Sequence, residues 1–162
     1  CSHPELITKQ YGSVDEMFGK SRKFDIFYDM LWKLRHTGHK VLVFSTMTKF
    51  LSLASAVLTA SSVPHVSLTG DVDMDSRRSI VNRFNHDKSC GIFLISTRAG
   101  GVGLNLQAAD TVIFYDCDWN PQADIQAQDR AHRIGQTNPV KVFSFITIGT
   151  VEEKLFAARK WY

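Results

Sequence analysis

The sequence predicts an α/β fold, a three-layer domain in which a parallel β-sheet is flanked by helices. Three observations predict it. Short, mostly apolar runs recur at Val41–Phe44, His65–Leu68, Gly91–Ile95, Thr111–Tyr115 and Val140–Thr147. Stretches with helical apolar spacing lie between them. Glycine or proline punctuates the joins at Gly38, Pro64 and Gly70, where such residues end or restart an element. Strands alternating with helices at this spacing form a parallel sheet covered on both faces. The loops at the carboxyl ends of the strands then carry the function.

Residues 1–22 are mixed and polar and read as a lead-in segment, with the domain running from 23 to 162. Ser13-Val-Asp-Glu16 fits a capping box that starts a short helix. Phe24, Phe27, Tyr28, Leu31 and Leu34 repeat at helical spacing, and Gly38 is a good terminator. Val41–Phe44 is a continuous apolar run, the form of a strand buried on both faces. The helix after it carries Phe50, Leu53, Ala54, Val57 and Leu58 on one stripe. Beyond the second strand, Gly70 turns the chain and Asp73 is placed to cap a helix with Ile80, Val81 and Phe84 inward. Gly91–Ile95 leads into a glycine turn, and Thr111–Tyr115 into a helix that starts near Pro121, where the missing N–H costs nothing. After a fifth strand, Thr150-Val-Glu-Glu153 is a second capping box, opening a helix with Val151, Leu155 and Ala158 on one face.

At 162 residues, with 44% hydrophobic and 22% charged composition, the chain can bury a core and is not of the disordered class. Its net charge of +3 requires any nucleic-acid contact to come from a local patch. Cys1, Cys90 and Cys117 are odd in number and lack a CxxC pair, which suggests reduced thiols in an intracellular protein and no zinc module. No apolar run approaches the ~18 residues of a membrane span, and no signal-peptide pattern opens the chain. Beginning on Cys1 and ending on Tyr162, it reads as a piece of something larger.

Two nucleotide motifs are rejected. The segment from Gly12 to Ser21 places six residues between Gly12 and Gly19, where a P-loop has four, and no buried strand precedes it. A capped turn is the better reading. Asp116 ends an apolar strand in the manner of a Mg²⁺-holding aspartate, but without a P-loop it reads as a strand-end residue. No complete ATP site is present.

The stretch from residue 96 to 136 is the richest in glycine, arginine and amide side chains. Gln126, Arg130 and Arg133 fall at i, i+4 and i+7, so they share one side of a helix whose apolar stripe is weak. An exposed helix with an Asp129–Arg133 pair is the plain reading, worth a few tenths of a kcal/mol. Two guanidiniums on one face also suit an anion spread over several oxygens, such as a phosphoryl group in transfer. Gly100, Gly101 and Gly103 either permit tight packing or let backbone N–H groups approach a phosphate or ribose. Thr97 and Arg98, at a strand's carboxyl end, suit a nucleic-acid phosphate. Trp119 sits in a polar turn, where it is either a partly buried anchor or functional. His132 reads only as a helix-face residue.

The blocks STRAGGVGLNL, AADTVIFYDCDWNPQ and QAQDRAHRIGQ closely resemble, in order and spacing, motifs V, Va and VI of the SWI/SNF-type chromatin-remodelling ATPases of helicase superfamily two. KVLVFSTMTKFL resembles their motif IV, and LTGDVDMDSRRSIVNRFN the segment after it. CSHPEL resembles the family's CNHP lead-in, with Ser2 in place of asparagine.

The resemblance implies a C-terminal RecA-like lobe, the second of two in a DNA-dependent ATPase. Lobe one, outside this chain, would supply the P-loop lysine and the acidic pair that hold ATP and Mg²⁺. By motif match, Arg130 and Arg133 are the arginine fingers, and Gly103, Asn105 and Gln126 face nucleotide. Thr97 and Arg98, together with Ser45, Gly70 and Arg77, fall where lobe two touches the DNA backbone, and Trp119 falls where hydrolysis is coupled to DNA movement. The implied partners are double-stranded DNA, nucleosomes and lobe one, in the nucleus, with the fragment inactive by itself. Two alternatives stand beside this: a non-catalytic nucleic-acid or protein-binding module that keeps the fold, and an RNA helicase lobe.

Overall fold

The computed structural model describes residues 18–70, 72–100, 104–129 and 139–159. In chain order the elements are α1 (Arg22–His36), β1 (Val41–Ser45), α2 (Thr48–Ala60), β2 (His65–Leu68), α3 (Met74–His86), β3 (Ile92–Ser96), α4 (Thr97–Gly100), β4 (Thr111–Phe114), α5 (Pro121–Gln128), β5 (Lys141–Ser144) and α6 (Val151–Arg159). All pairings are parallel, in the order β2-β3-β1-β4-β5. Strand–helix alternation thus yields the expected three-layer α/β architecture.

The three central strands explain why the apolar runs are continuous. Alternate residues point to opposite faces, and both faces are covered. Val41 and Val43 face one cluster, built with Phe24, Phe27 and Leu31 of α1 and Phe50, Leu53 and Val57 of α2. Leu42 and Phe44 face the other, with Phe93, Ile95 and Phe114 packed against Phe84 of α3 and Ala127 of α5. Within the first cluster, Tyr115 stacks on Phe50 with ring centroids 3.6 Å apart and planes 9° from parallel.

Helix ends follow local chemistry. Ser21 caps α1 by accepting from Phe24 N–H at 3.4 Å, while the Ser13 box lies outside the described residues. Gly38 stops α1 at φ +80°, with Gly38 N–H on Arg35 O and His39 N–H on Leu34 O at 3.0 Å each. This double closure of the last turn favours a residue free of Cβ strain. Ser62 closes α2 the same way, at φ +53° and without that freedom. Asp73 caps α3 through Asp75 and Ser76 N–H, and those bonds, that of Ser76 first, hold its carboxyl below the usual range.

Three expectations need correction at the carboxyl end. The fifth strand is Lys141–Ser144, shorter than Val140–Thr147, and all four residues are exposed because the strand lies at the sheet edge. In α6, Val151 and Ala158 are exposed and Leu155 only half-buried, so the expected stripe is not an inward face. The helix is tied instead by an ion pair from Glu152 to Lys23 on α1. Its capping box is also displaced: Thr150 Oγ1 accepts from Glu152 N–H, but Glu153 reaches Gly149 N–H at 2.7 Å.

Candidate nucleotide and nucleic-acid interface

A parallel sheet brings its strand exits to one edge. Ser45 at the end of β1 pairs in register with Ser96 at the end of β3, and Phe44 with Phe114 of β4. The turns after β1, β2, β3 and β4 therefore gather on the same rim, where most of the expected site residues lie.

Thr97 begins α4 and is 7% exposed; its Oγ1 is buried with no hydrogen-bond partner among the described residues. Arg98, the next residue, is exposed. Ser96 Oγ accepts from Ala99 N–H at 3.2 Å, which fixes the turn that aims Arg98 outward. Asn105 and Gln126 are exposed too. Gly103, Arg130 and Arg133 lie outside the described residues, so of the three residues expected on one helix face only Gln126 is placed.

Two expected DNA contacts, Ser45 and Arg77, look different in the structure. Ser45 is fully buried rather than on the surface. Its hydroxyl donates to Asp116 and is not free to meet a phosphate. Arg77 is half-buried and clasps the turn before α3, with Nε donating to Val72 O at 2.8 Å and Nη2 to Gly70 O at 3.1 Å. Gly70 is exposed, but a Cβ there would meet nothing within 4 Å. Close approach does not explain that glycine.

Sequence reasoning missed two features. One is an open groove of about 350 Å³ between α3 and the segment after the glycine turn, lined by Arg77, Arg78, Asn82, Leu104 and Asn105. Arg78 and Asn82 lie one helical turn apart in an exposed polar helix, a pattern indistinguishable from a solvated face. Asn105 is tied to α3 by Asn85, whose Nδ2 donates to Asn105 O at 3.0 Å. The other is the environment of Asp116, which is 6% exposed. Its carboxylate accepts from the Ser45 hydroxyl, from Thr46 N–H at 2.7 Å and from Thr46 Oγ1 at 2.5 Å. The strand-end reading of Asp116 was right in place but silent about these partners. Beside it, burial pushes the Tyr115 phenol far above its ordinary value, with the Asp116 charge adding to the effect.

Trp119 is 75% exposed, so it is neither core nor a buried anchor. The turn holding it is tightly made. Asp118 Oδ1 accepts from Asn120 N–H at 2.9 Å, and Asn120 Oδ1 caps α5 through Gln122 N–H at 3.1 Å. Pro121 stands at the first position of that helix, as expected. No group of three or more His, Cys, Asp or Glu among the described residues is arranged to hold a metal ion.

Comparison with known proteins gives a consistent picture. The family described as the helicase conserved C-terminal domain matches residues 22–135. The human lymphoid-specific helicase is 45% identical over 96% of this chain, which corresponds to 19% of the relative. The ATP-dependent DNA helicase DDM1 of Arabidopsis thaliana is 44% identical over 96% of the chain and 21% of the relative. The chromatin-remodeling ATPase INO80 of Saccharomyces cerevisiae is 42% identical over 94% of the chain and 11% of the relative. This chain therefore spans about a fifth or less of these curated proteins. A crystal structure of the C-terminal part of the Fun30 ATPase domain superposes with a TM-score of 0.83 at 35% identity, covering 91% of this chain and 47% of that one.

Proposed function

Since the chain belongs to the helicase conserved C-terminal domain family, as a RecA-like lobe of the SWI/SNF-type chromatin-remodelling ATPases, we propose that it is the second motor lobe of an ATP-dependent double-stranded-DNA translocase that remodels nucleosomes. One observation carries the reading: identity of 42–45% to remodelling ATPases and helicases extends along 94–96% of the chain. In this role the lobe works in the nucleus on DNA and nucleosomes, opposite an N-terminal RecA-like lobe of the same protein. Residues 1–22 form the lead-in and 23–162 the lobe.

The donor set supports a division of labour between the lobes. Asp116, the strand-end carboxylate whose place in sequence suggests a metal ligand, already accepts three protein hydrogen bonds. It does not fit a Mg²⁺ ligand, and the metal belongs to lobe one in this reading. ATP is likewise held mainly by lobe one and supplies the phosphoryl group that is transferred to water. This chain presents Gln126, Asn105 and Gly103 to the nucleotide and Arg130 and Arg133 to the charge that develops on the phosphoryl oxygens. Phosphoryl transfer depends on positioning and charge stabilisation, and arginines carried on a separate body make the reaction conditional on closure of the two lobes. DNA lying along the rim at Arg98 biases that closure and is moved by it.

The test is DNA-stimulated ATP hydrolysis by the full-length protein. Arg133→Ala should slow it by ~10³-fold or more. An unchanged rate would remove Arg133 from the transition state. The isolated lobe should hydrolyse no ATP, and measurable turnover by it would contradict the two-lobe division.

A further inference from the structure

We propose that Asp116 is a positioning residue, whose carboxylate latches the Trp119 turn and α5 to the turn after β1. This inference rests on the motor reading above and assigns to that site a residue outside the nucleotide and DNA contacts. Three donors converge on one buried carboxylate from two consecutive residues: the Ser45 hydroxyl on Oδ2, and Thr46 N–H and Oγ1 on Oδ1. Ser45 Oγ in turn accepts from Met47 N–H at 3.0 Å, so the entry into α2 is bound into the same cluster. An ionised carboxylate is acceptor-only and can satisfy all three donors at once, which no neutral side chain of this shape does.

The place of the latch gives it a consequence. Asp116 is followed by a run from Cys117 to Asn120, and α5 starts at Pro121. Both ends of that run are fixed, by the latch on one side and by the Asn120 cap on the other. Between them Trp119 stands 75% exposed, with no ring contact to any described aromatic residue. With Trp119 75% open to solvent, the position of the indole depends on the backbone anchors at the two ends of the run. α5 carries Gln126 and leads toward Arg130 and Arg133. Displacing the latch therefore moves the Trp119 turn and the start of the arginine-bearing segment together, while the core beneath stays packed.

The experiment uses the intact two-lobe protein and measures DNA-stimulated ATP hydrolysis and base pairs moved per ATP hydrolysed. Asp116→Asn keeps the shape but replaces an acceptor with a donor facing the Ser45 hydroxyl. It should lower base pairs moved per ATP by at least about tenfold, since a misplacement of ~1 Å can cost a working group up to ~10²-fold. The KM for ATP should change little and the melting temperature should stay within a few degrees. Asp116→Glu should not rescue, because the longer side chain carries its oxygens past Thr46. Should Asp116→Asn fail to fold, Thr46→Val removes one donor from an exposed residue and should lower the same ratio in the same direction. Wild-type coupling in either folded variant overturns the latch, as does a loss of hydrolysis with unchanged movement per ATP. A wild-type protein with no DNA-stimulated hydrolysis would instead sink the motor reading itself.

Discussion

Lys23 and Glu152 lie 129 residues apart in sequence, yet the Lys23 ammonium donates to both Glu152 carboxylate oxygens, at 2.7 and 2.8 Å. The ammonium also sits 4.9 Å from the centre of the Tyr115 ring. Their side chains are 7% and 16% exposed, so the pair is shielded from water. Burial alone would raise the Glu152 pKa, but the hydrogen bonds from Lys23 and from Thr147 N–H, with the Lys23 charge, outweigh it and hold the carboxyl below its usual range.

A depressed carboxyl pKa fixes the sign of the pH dependence. The pair's contribution is complete above the unfolded glutamate value, about 4.3, and disappears as pH falls through the lower folded value. Glu152→Gln should cost about 1–3 kcal/mol at neutral pH by leaving Lys23 buried without its counter-charge. The loss should shrink in acid. Urea denaturation across that pH range checks both, and parallel pH profiles for the two proteins would contradict it.

Ser62 offers a stabilising change. It closes α2 at φ +53°, a conformation that strains any residue with a Cβ. Ser62→Gly should raise stability by up to about 1 kcal/mol, the relieved strain being partly offset by added freedom in the unfolded chain. A lower denaturation midpoint in the variant would rule this out.

Arg98 and Arg77 should separate in DNA binding. The Arg98 guanidinium is exposed on the rim, whereas that of Arg77 is engaged with the carbonyls of Gly70 and Val72. In the two-lobe protein, Arg98→Ala should weaken duplex binding and reduce the slope of log affinity against log salt by about 1. Arg77→Ala should leave the slope nearly unchanged while loosening the turn before α3. Fluorescence anisotropy titrations at several salt concentrations distinguish the two, and a larger slope change for Arg77 would reverse the assignment.

Trp119→Ala should hardly affect folding, because a side chain 75% exposed has little packing to lose. A stability change within about 0.5 kcal/mol is expected for such a surface site. Movement of DNA per ATP should nevertheless fall in the two-lobe protein. A strongly destabilised variant, or one with normal movement, would show that the indole has another role.

The fold was legible where both faces of a strand are buried. Val41–Phe44, Gly91–Ile95 and Thr111–Tyr115 are continuous apolar runs because helices cover the central strands on each side. Asp73, Gly38 and Pro121 were legible for a local reason: each satisfies or terminates a backbone turn within a few residues of itself. Legibility failed where a role depends on a distant partner. Ser45 and Asp116 are 71 residues apart, and no spacing rule joins them. Arg77 has the composition of a phosphate ligand but serves nearby carbonyls, because a guanidinium donates to any oxygen it reaches. At the edge strand β5 no buried pattern marks the limits, and the expected run came out too long.

The arrangement of β4 has a mechanical meaning. The strand is hydrogen-bonded along both edges, to β1 and to β5, and the Trp119 turn extends from its carboxyl end. A pull applied to that turn along the strand axis loads both ladders in shear, so their hydrogen bonds resist together and do not peel apart singly. The turn is mounted on the stiffest direction of the sheet, which lets it push or be pushed against a partner without the strand beneath it giving way.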